Sequence, residues 1–407
     1  PYDKFISADR KLGTQMKATG EVMAIGRNFE ESLLKGIRGL EIKRDHLWSK
    51  ESSKADTEEL LASIQSPTDD RIFELAELIR RDVSIHELHN LTRVDLWFLN
   101  KLLNIIKIEK ALAESPQDKD LILRAKKYGF SDTYLASLNN QSPIEFREFR
   151  KSLGINPVFK MVDTCAAEFE SQTPYFYSTY GTENESSETG NESILVIGSG
   201  PIRIGQGVEF DYATVHAIKA IRALGYKAIV VNNNPETVST DFNVSDKLYF
   251  DPITFEDVMN IIELEKPKGV ICQFGGQTAI NLTPQLAQAG VTVLGTSYDS
   301  IDIAENRNRF EELLNTIDIA QPMGTTFLNT DEALKKATQL GYPLMLRPSY
   351  VIGGEAMEIV YDDKELIDEL KVDIAADKTP AITIPLAPTG NIFFIIYVIS
   401  LSLSIMT

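Results

Sequence analysis

The sequence predicts an all-α region, then a doubly wound α/β domain, then the start of a second α/β unit. Three observations predict this. Ile194-Leu-Val-Ile197 runs into Gly198-Ser-Gly-Pro-Ile-Arg-Ile-Gly-Gln-Gly207 and then a helix-like segment, Tyr212 to Ala223. Such an apolar run reads as a buried parallel strand, and glycines at its carboxyl end let backbone amides approach a ligand. Strand-like and helix-like segments then alternate, at 194–198, 214–224, 228–231, 254–264, 268–272, 279–289 and 291–294. A βαβ order of this kind predicts a parallel sheet with helices on both faces. Before it, from about 41 to 180, the apolar positions are spaced as on helices: Ile72, Leu75, Ala76 and Ile79, then Leu99, Leu102, Leu103 and Ile106, with Trp97 and Phe98 adding bulk.

In chain order, residues 1–40 end in a helical stripe of Leu33, Leu34, Ile37 and Leu40, and Pro67, Pro116, Pro143 and Pro157 punctuate the helical region 41–180. Residues 181–192 are acidic and lack apolar periodicity, which reads as a connector. The α/β domain spans 193–305. Its strand ends carry polar loops, Gly198 to Gly207, Asn232 to Thr240, Gln273 to Thr278 and Gly295 to Ser297. Ligands of open α/β sheets collect at that edge, so several such loops point to a crevice there. In the second unit, 306–385, Asp331 to Leu340 reads as a helix, Leu344 to Arg347 as a strand and Ala356 to Tyr361 as the returning strand. Arg347 beside Gly353 and Gly354 can aim a guanidinium and free amides at phosphate oxygens; a plain hairpin is the alternative at this point.

Composition narrows the function. With 41 basic and 59 acidic residues, the formal charge of the 407-residue chain is −18. That argues against nucleic acid as a partner, which needs a basic face, but leaves room for a nucleotide site. Cys165 and Cys272 are too far apart in sequence to imply a disulfide framework or zinc, and both read as non-nucleophilic, Cys165 on a helix and Cys272 in a buried strand. His86 and His89 are three apart, not the four of a zincin, and read as surface residues; no metal-ligand set is assigned. Pro1 to Arg10 is mixed polar, and a cytoplasmic enzyme is expected. A nicotinamide site is unlikely on spacing: Arg203 stands where a dinucleotide fingerprint needs its third glycine, and the second strand runs into Asn232-Asn-Asn234 instead of an acid.

Longer motifs are more specific. Gly198 to Tyr212, Asn234-Pro-Glu-Thr-Val-Ser-Thr-Asp241, Lys266-Pro-Lys-Gly-Val270, Gly275-Gly-Gln-Thr278 and Arg347-Pro-Ser-Tyr-Val-Ile-Gly-Gly354 together resemble the second synthetase half of the carbamoyl-phosphate synthase large subunit. Thr14 to Arg27 resembles the end of the first half; Val162 to Phe169 and Tyr177 to Tyr180 resemble the exit from the family's helical oligomerisation domain. The resemblance covers about residues 1–380. It implies the end of a first ATP-grasp unit at 1–40, an oligomerisation domain at 41–180, a preATP-grasp domain at 193–305 and the front of a second ATP-grasp domain at 306–385.

The implied activity is a ligase reaction serving pyrimidine or arginine biosynthesis. Carbamoyl phosphate is made from bicarbonate, glutamine-derived ammonia and two ATP, this piece belonging mainly to the carbamate-phosphorylating half. The implied cofactors are ATP and magnesium or manganese, with the metal ligands expected outside this sequence. The implied partners are a glutaminase small subunit or fused glutaminase domain, and further copies through the helical domain. By resemblance Arg307 and Arg347 contact the nucleotide, Gly353 and Gly354 lie on its phosphate side, and residues 198–212 and 275–278 line a path for carbamate.

The match stops near residue 385. Residues 386–407 form an apolar tail that matches nothing in the family and is shorter than the ~18–20 residues of a membrane span; a gene-model or frame artefact is expected, and no membrane association. The alternative function is an inactive truncated fragment acting only as an oligomerisation or structural module. A tail-anchored membrane protein ranks last.

Overall fold

A computed structural model describes residues 2, 8–204, 206–319, 325–327, 330–348, 358–375 and 381–385. The chain divides into two compact units, Pro1–Tyr298 and Asp299–Thr407.

The first unit begins with helices, from Phe29–Gly39 through Leu96–Glu114 to Pro143–Ser152. Their ends are set by side chains that take up free backbone amides: Asp95 accepts from Trp97 N, and Ser142 and Glu145 form a reciprocal capping box. Leu75, Ala76, Ile79, Leu99, Leu102 and Ile106 are buried in one helical core, while Ile72 and Leu103 pack half-buried against it. Trp97 and Phe98 are exposed and form an edge-to-face cluster with Phe29.

The helical pattern expected to 180 stops at Ser152. Val158–Met161 (β1) and Tyr175–Thr179 (β2) are strands, as the β-branched and aromatic residues Val158, Phe159, Tyr175, Phe176 and Tyr177 favour. They pair antiparallel, and β2 joins a parallel sheet with Ser193–Ile197 (β3), Lys227–Val231 (β4), Lys247–Tyr249 (β5) and Val270–Ile271 (β6). The sheet order is β1-β2-β5-β4-β3-β6. Helix Glu209–Ala223 packs on one face; Phe255–Glu265 and Gly276–Gln288 pack on the other. The doubly wound arrangement is therefore present, but β5 was not foreseen, and the strand expected at 291–294 is only a bridge from Val293 to Val270. Cys165 lies in a turn, not a helix. Its neighbours Ala166 and Ala167 have φ of 52° and 58°, incompatible with a right-handed helix.

Helices and sheet are joined by buried charges. Lys126 Nζ donates to Asp132 Oδ1 at 3.0 Å and Glu256 Oε1 at 2.5 Å, and Arg150 Nη2 donates to Asp132 Oδ2 at 2.9 Å. Lys35 Nζ reaches Asp251 Oδ1 at 2.8 Å, and the same carboxylate accepts from Ser178 N in β2. Burial alone would raise the Glu256 pKa, but Lys126, Arg150 and Arg38 hold it low.

In the second unit Thr325–Thr326 (β7), Leu344–Pro348 (β8), Glu358–Val360 (β9) and Ala381–Pro385 (β10) form an antiparallel sheet in the order β7-β10-β8-β9. The expected return of the chain after 347 is seen as β9 on β8, with Leu344 opposite Val360. No helix among the described residues is long and apolar enough to cross a membrane.

Within the helical core, Glu109 accepts from Arg80 Nε at 2.5 Å and lies 3.0 Å from His46 Nε2, whose ring stacks on Tyr134. Burial opposes ionisation of Glu109, yet His46 and Arg80 hold its pKa down to about 2. Burial lowers the His46 pKa. Both shifts favour the folded state at neutral pH and have the same sign. The His46 contribution is present above about pH 6.5 and is lost as pH falls through its depressed folded value; the Glu109 contribution is present above about 4.5 and fades towards 2. Urea midpoints measured from pH 7 to 3 should fall with pH. In Glu109→Gln the drop reached by pH 3 should be smaller by about 2 kcal/mol. An acid limb as steep in the variant as in the parent would contradict the assignment.

Candidate functional site: the carboxyl edge of the parallel sheet

Chain connections leave β3 in opposite directions. The first runs through helix Glu209–Ala223 to β4, while the return from β5 through Phe255–Glu265 reaches β6 on the other side of β3. The carboxyl ends of β3 and β6 therefore form the switch point, where open α/β sheets bind ligands. The loops that follow them, 198–208 and 272–275, are two of those singled out by their glycines.

The glycines are needed for close approach. A Cβ on Gly275 would sit 2.6 Å from both Ile197 O and Ala279 Cβ, and would meet Gly198 O as well. Gly200 has φ +65° and receives the β4 loop: its N–H donates to Asn232 Oδ1 at 3.1 Å and its carbonyl accepts from Asn234 Nδ2 at 3.2 Å. Asn232, Asn233 and Asn234 are buried. Asp211, at the start of helix Glu209–Ala223, takes the amides of Val238 (2.8 Å) and Ser239 (3.2 Å), which fixes the far end of that loop.

A segment from the start of the chain covers the crevice. Met23 N–H donates to Asn233 O at 2.7 Å, and Asn233 Nδ2 donates to Gly39 O at 3.2 Å. Glu41, in the left-handed region at φ 56°, accepts from Arg203 Nη2 at 2.5 Å and Thr278 Oγ1 at 2.7 Å. Burial raises the Glu41 pKa, and Arg203 and Thr278 counter it. Five buried side-chain atoms here have no hydrogen-bond partner among the described residues: Glu41 Oε1, Ser199 Oγ, Gln206 Nε2, Asn233 Oδ1 and Gln273 Oε1. Buried polar atoms are ordinarily paired, so this concentration indicates a place built for water or a small polar ligand. Its cation, Arg203, is already engaged by Glu41, so the crevice does not suit a triphosphate.

The predicted nucleotide residues belong to the second unit. Arg307 opens helix Arg307–Thr316, and the backbone of Arg347 in β8 pairs with Ile382 of β10. Gly353 and Gly354 lie outside the described residues. Among the described residues no group of three or more His, Cys, Asp or Glu could hold a metal. His89 Nδ1 lies 2.8 Å from Val94 O, and burial pushes the Cys272 thiol up to about 11, away from nucleophilic use. Sequence reasoning picked out the loops holding Ser199, Gln206, Asn233 and Gln273 but missed Glu41, which no local pattern marks.

Three family models match the chain. Residues 21–154 match the carbamoyl-phosphate synthetase large chain oligomerisation domain, 190–303 the carbamoyl phosphate synthase preATP-grasp domain, and 306–382 the carbamoyl-phosphate synthase L chain ATP binding domain. Among solved structures, the biotin carboxylase domain of Hydrogenobacter thermophilus 2-oxoglutarate carboxylase, in complex with MgADP, ADP and bicarbonate, is 18% identical over 48% of this chain and 44% of its own, with a TM-score of 0.37. Campylobacter jejuni biotin carboxylase is 16% identical over 48% and 45%, at 0.37. N5-carboxyaminoimidazole ribonucleotide synthetase of Thermus thermophilus is 15% identical over 48% and 47%, at 0.35. The chain spans less than half the length of each.

The packing at Gly275 yields a test. Gly275→Ala should cost about 1–3 kcal/mol, because backbone atoms on two sides cannot yield cheaply. Gly36→Ala, in a helix with only Ala24 Cβ at 3.7 Å, should be neutral or stabilising. Thermal unfolding of both variants checks this; equal midpoints would contradict the close approach.

Proposed function

Because the chain belongs to the carbamoyl-phosphate synthase large-chain family, with three of its domains matched in chain order, we propose that it serves ATP-dependent synthesis of carbamoyl phosphate. The substrates are bicarbonate, glutamine-derived ammonia and ATP. The unit from 306 onward phosphorylates carbamate, and the crevice of the first unit holds carbamate.

The observation that carries the carbamate assignment is the set of orphan atoms at the switch point. At least three of the five, Glu41 Oε1, Asn233 Oδ1 and Gln273 Oε1, are acceptors, and Gln206 Nε2 is a donor. A small ligand with N–H groups and a carboxylate, as carbamate is, meets both kinds. A polyanion does not, because it would face the carboxylate of Glu41.

In the phosphorylating unit, Arg307 and Arg347 hold the nucleotide, with Gly353 and Gly354 on its phosphate side. ATP supplies the phosphoryl group, and a bound magnesium or manganese ion would neutralise charge on it; no metal-holding residue is assigned. The carbamate oxygen forms the new bond to the γ-phosphorus as the bond to ADP breaks. A glutaminase subunit or domain supplies ammonia, and the helical region joins copies of the protein.

The test uses the intact synthase carrying Arg347→Ala. ATP formation from ADP and carbamoyl phosphate, the reverse of carbamate phosphorylation, should drop by about 10²-fold or more, while bicarbonate-dependent ATP hydrolysis persists. Loss of the second reaction with retention of the first would reverse the assignment of the two halves. No loss of either would refute the role of Arg347.

A further inference from the structure

A second cavity lies at the carboxyl end of β2, at the other side of the sheet from the β3/β6 switch point, where the entry to helix Phe29–Gly39, the end of helix Lys119–Lys127 and the β1–β2 pair meet. It has a volume of about 260 Å³, and its lining includes Arg27, Asn28, Lys127, Lys160, Thr179 and Glu183. Three cations from three separate elements thus share one concave surface in a chain whose net charge is −18.

The three differ in how they are engaged. Lys160 is held by Glu185 at 2.8 Å and Glu183 at 3.4 Å, so its charge is largely offset and it mainly shapes the wall. Arg27 is exposed and lies beside the Tyr177 hydroxyl. Lys127 is exposed, with no ion pair or side-chain hydrogen bond found for it among the described residues. Its carbonyl accepts from Asn28 Nδ2 at 3.0 Å, which ties the Arg27 rim to the Lys127 rim. The amides at the helix start are already used, Glu31 N by Asn28 Oδ1 and Arg27 N by Glu31 Oε2, so the anion-binding capacity resides in the side chains.

We propose that this cavity binds a phosphate group, through Arg27 and Lys127 acting across it with Lys160 as its third wall. Arginine and lysine are the side chains that recognise phosphate oxygens, and charge-assisted bonds to them outlast partial exposure to water. The size points to a small phosphomonoester or inorganic phosphate, since pockets for larger organic ligands run ~300–1,000 Å³. This site uses none of the residues assigned to the nucleotide and stands whether or not the carbamate reading holds.

Calorimetric titration of the full chain with inorganic phosphate and with ribose 5-phosphate, at ionic strength held constant with potassium chloride, tests it. Saturable binding is expected, about tenfold weaker in Arg27→Ala and in Lys127→Ala and unchanged in Lys119→Ala, another exposed lysine of the same helix. Tighter binding of the sugar phosphate would place an organic group in the cavity; equal binding would assign the site to phosphate alone, and both support the proposal. Binding that survives both cavity substitutions overturns it. So does binding lost only in Arg347→Ala, which would locate the anion at the nucleotide site, or no saturable binding at all. Lys127 makes no side-chain contact that folding needs, so the Lys127→Ala result stands even if Arg27→Ala folds poorly.

Discussion

The first unit depends on a knot of buried charge. Lys126, Asp132 and Arg150 come from the helical region and Glu256 from a helix of the α/β domain; Lys126 and Arg150 are almost wholly shielded from water. Taking such groups out of water costs several kcal/mol each, so the knot adds little net stability over an apolar junction of the same shape. Its consequence is geometric. Removing one member leaves the buried charges unbalanced, at about 3–5 kcal/mol, so the helical region has one permitted seat on the sheet.

That seat matters for the crevice. Helix Phe29–Gly39 is fixed on one side by Lys35 on Asp251 and Arg38 near Asp257, and on the other by Asn28 on the Lys127 carbonyl. The residues flanking it, Met23 and Glu41, are thereby held over the carboxyl ends of β3 and β4. The segment over the switch point is thus a fixed part of the fold, positioned by buried charges on the adjoining helix. The covered crevice and the cation-lined cavity both sit where this helix meets other elements.

How much could be read from the sequence follows from the range of the interactions. β3 and β4 were legible because both are buried on both faces and so show as unbroken apolar runs. The glycine loop was legible because close approach at Gly275 and a left-handed backbone at Gly200 exclude most side chains. β5 was not, since Lys247-Leu-Tyr249 is three residues long and shows no periodicity. β1 and β2 follow a strongly helical stretch, which carried the helical reading past Ser152 although their own aromatic and β-branched residues favour strand. Glu41 was illegible because its partners, Arg203 and Thr278, are 162 and 237 residues away. For Arg347 the sequence placed the residue in a strand, as found, whereas Arg307 was named from the resemblance with no element assigned; the role of both rests on resemblance.

Hydrogen exchange on the full chain, comparing the parent with Glu256→Gln, tests most directly whether the charge knot makes helices and sheet one body. The account predicts that amides of Asp132–Leu138 and Pro143–Ser152, on the helical side, and of Phe255–Glu265, on the sheet side, become less protected together, by roughly 100-fold for a loss near 3 kcal/mol. Loosening confined to Phe255–Glu265, with the helical amides as protected as before, would contradict it.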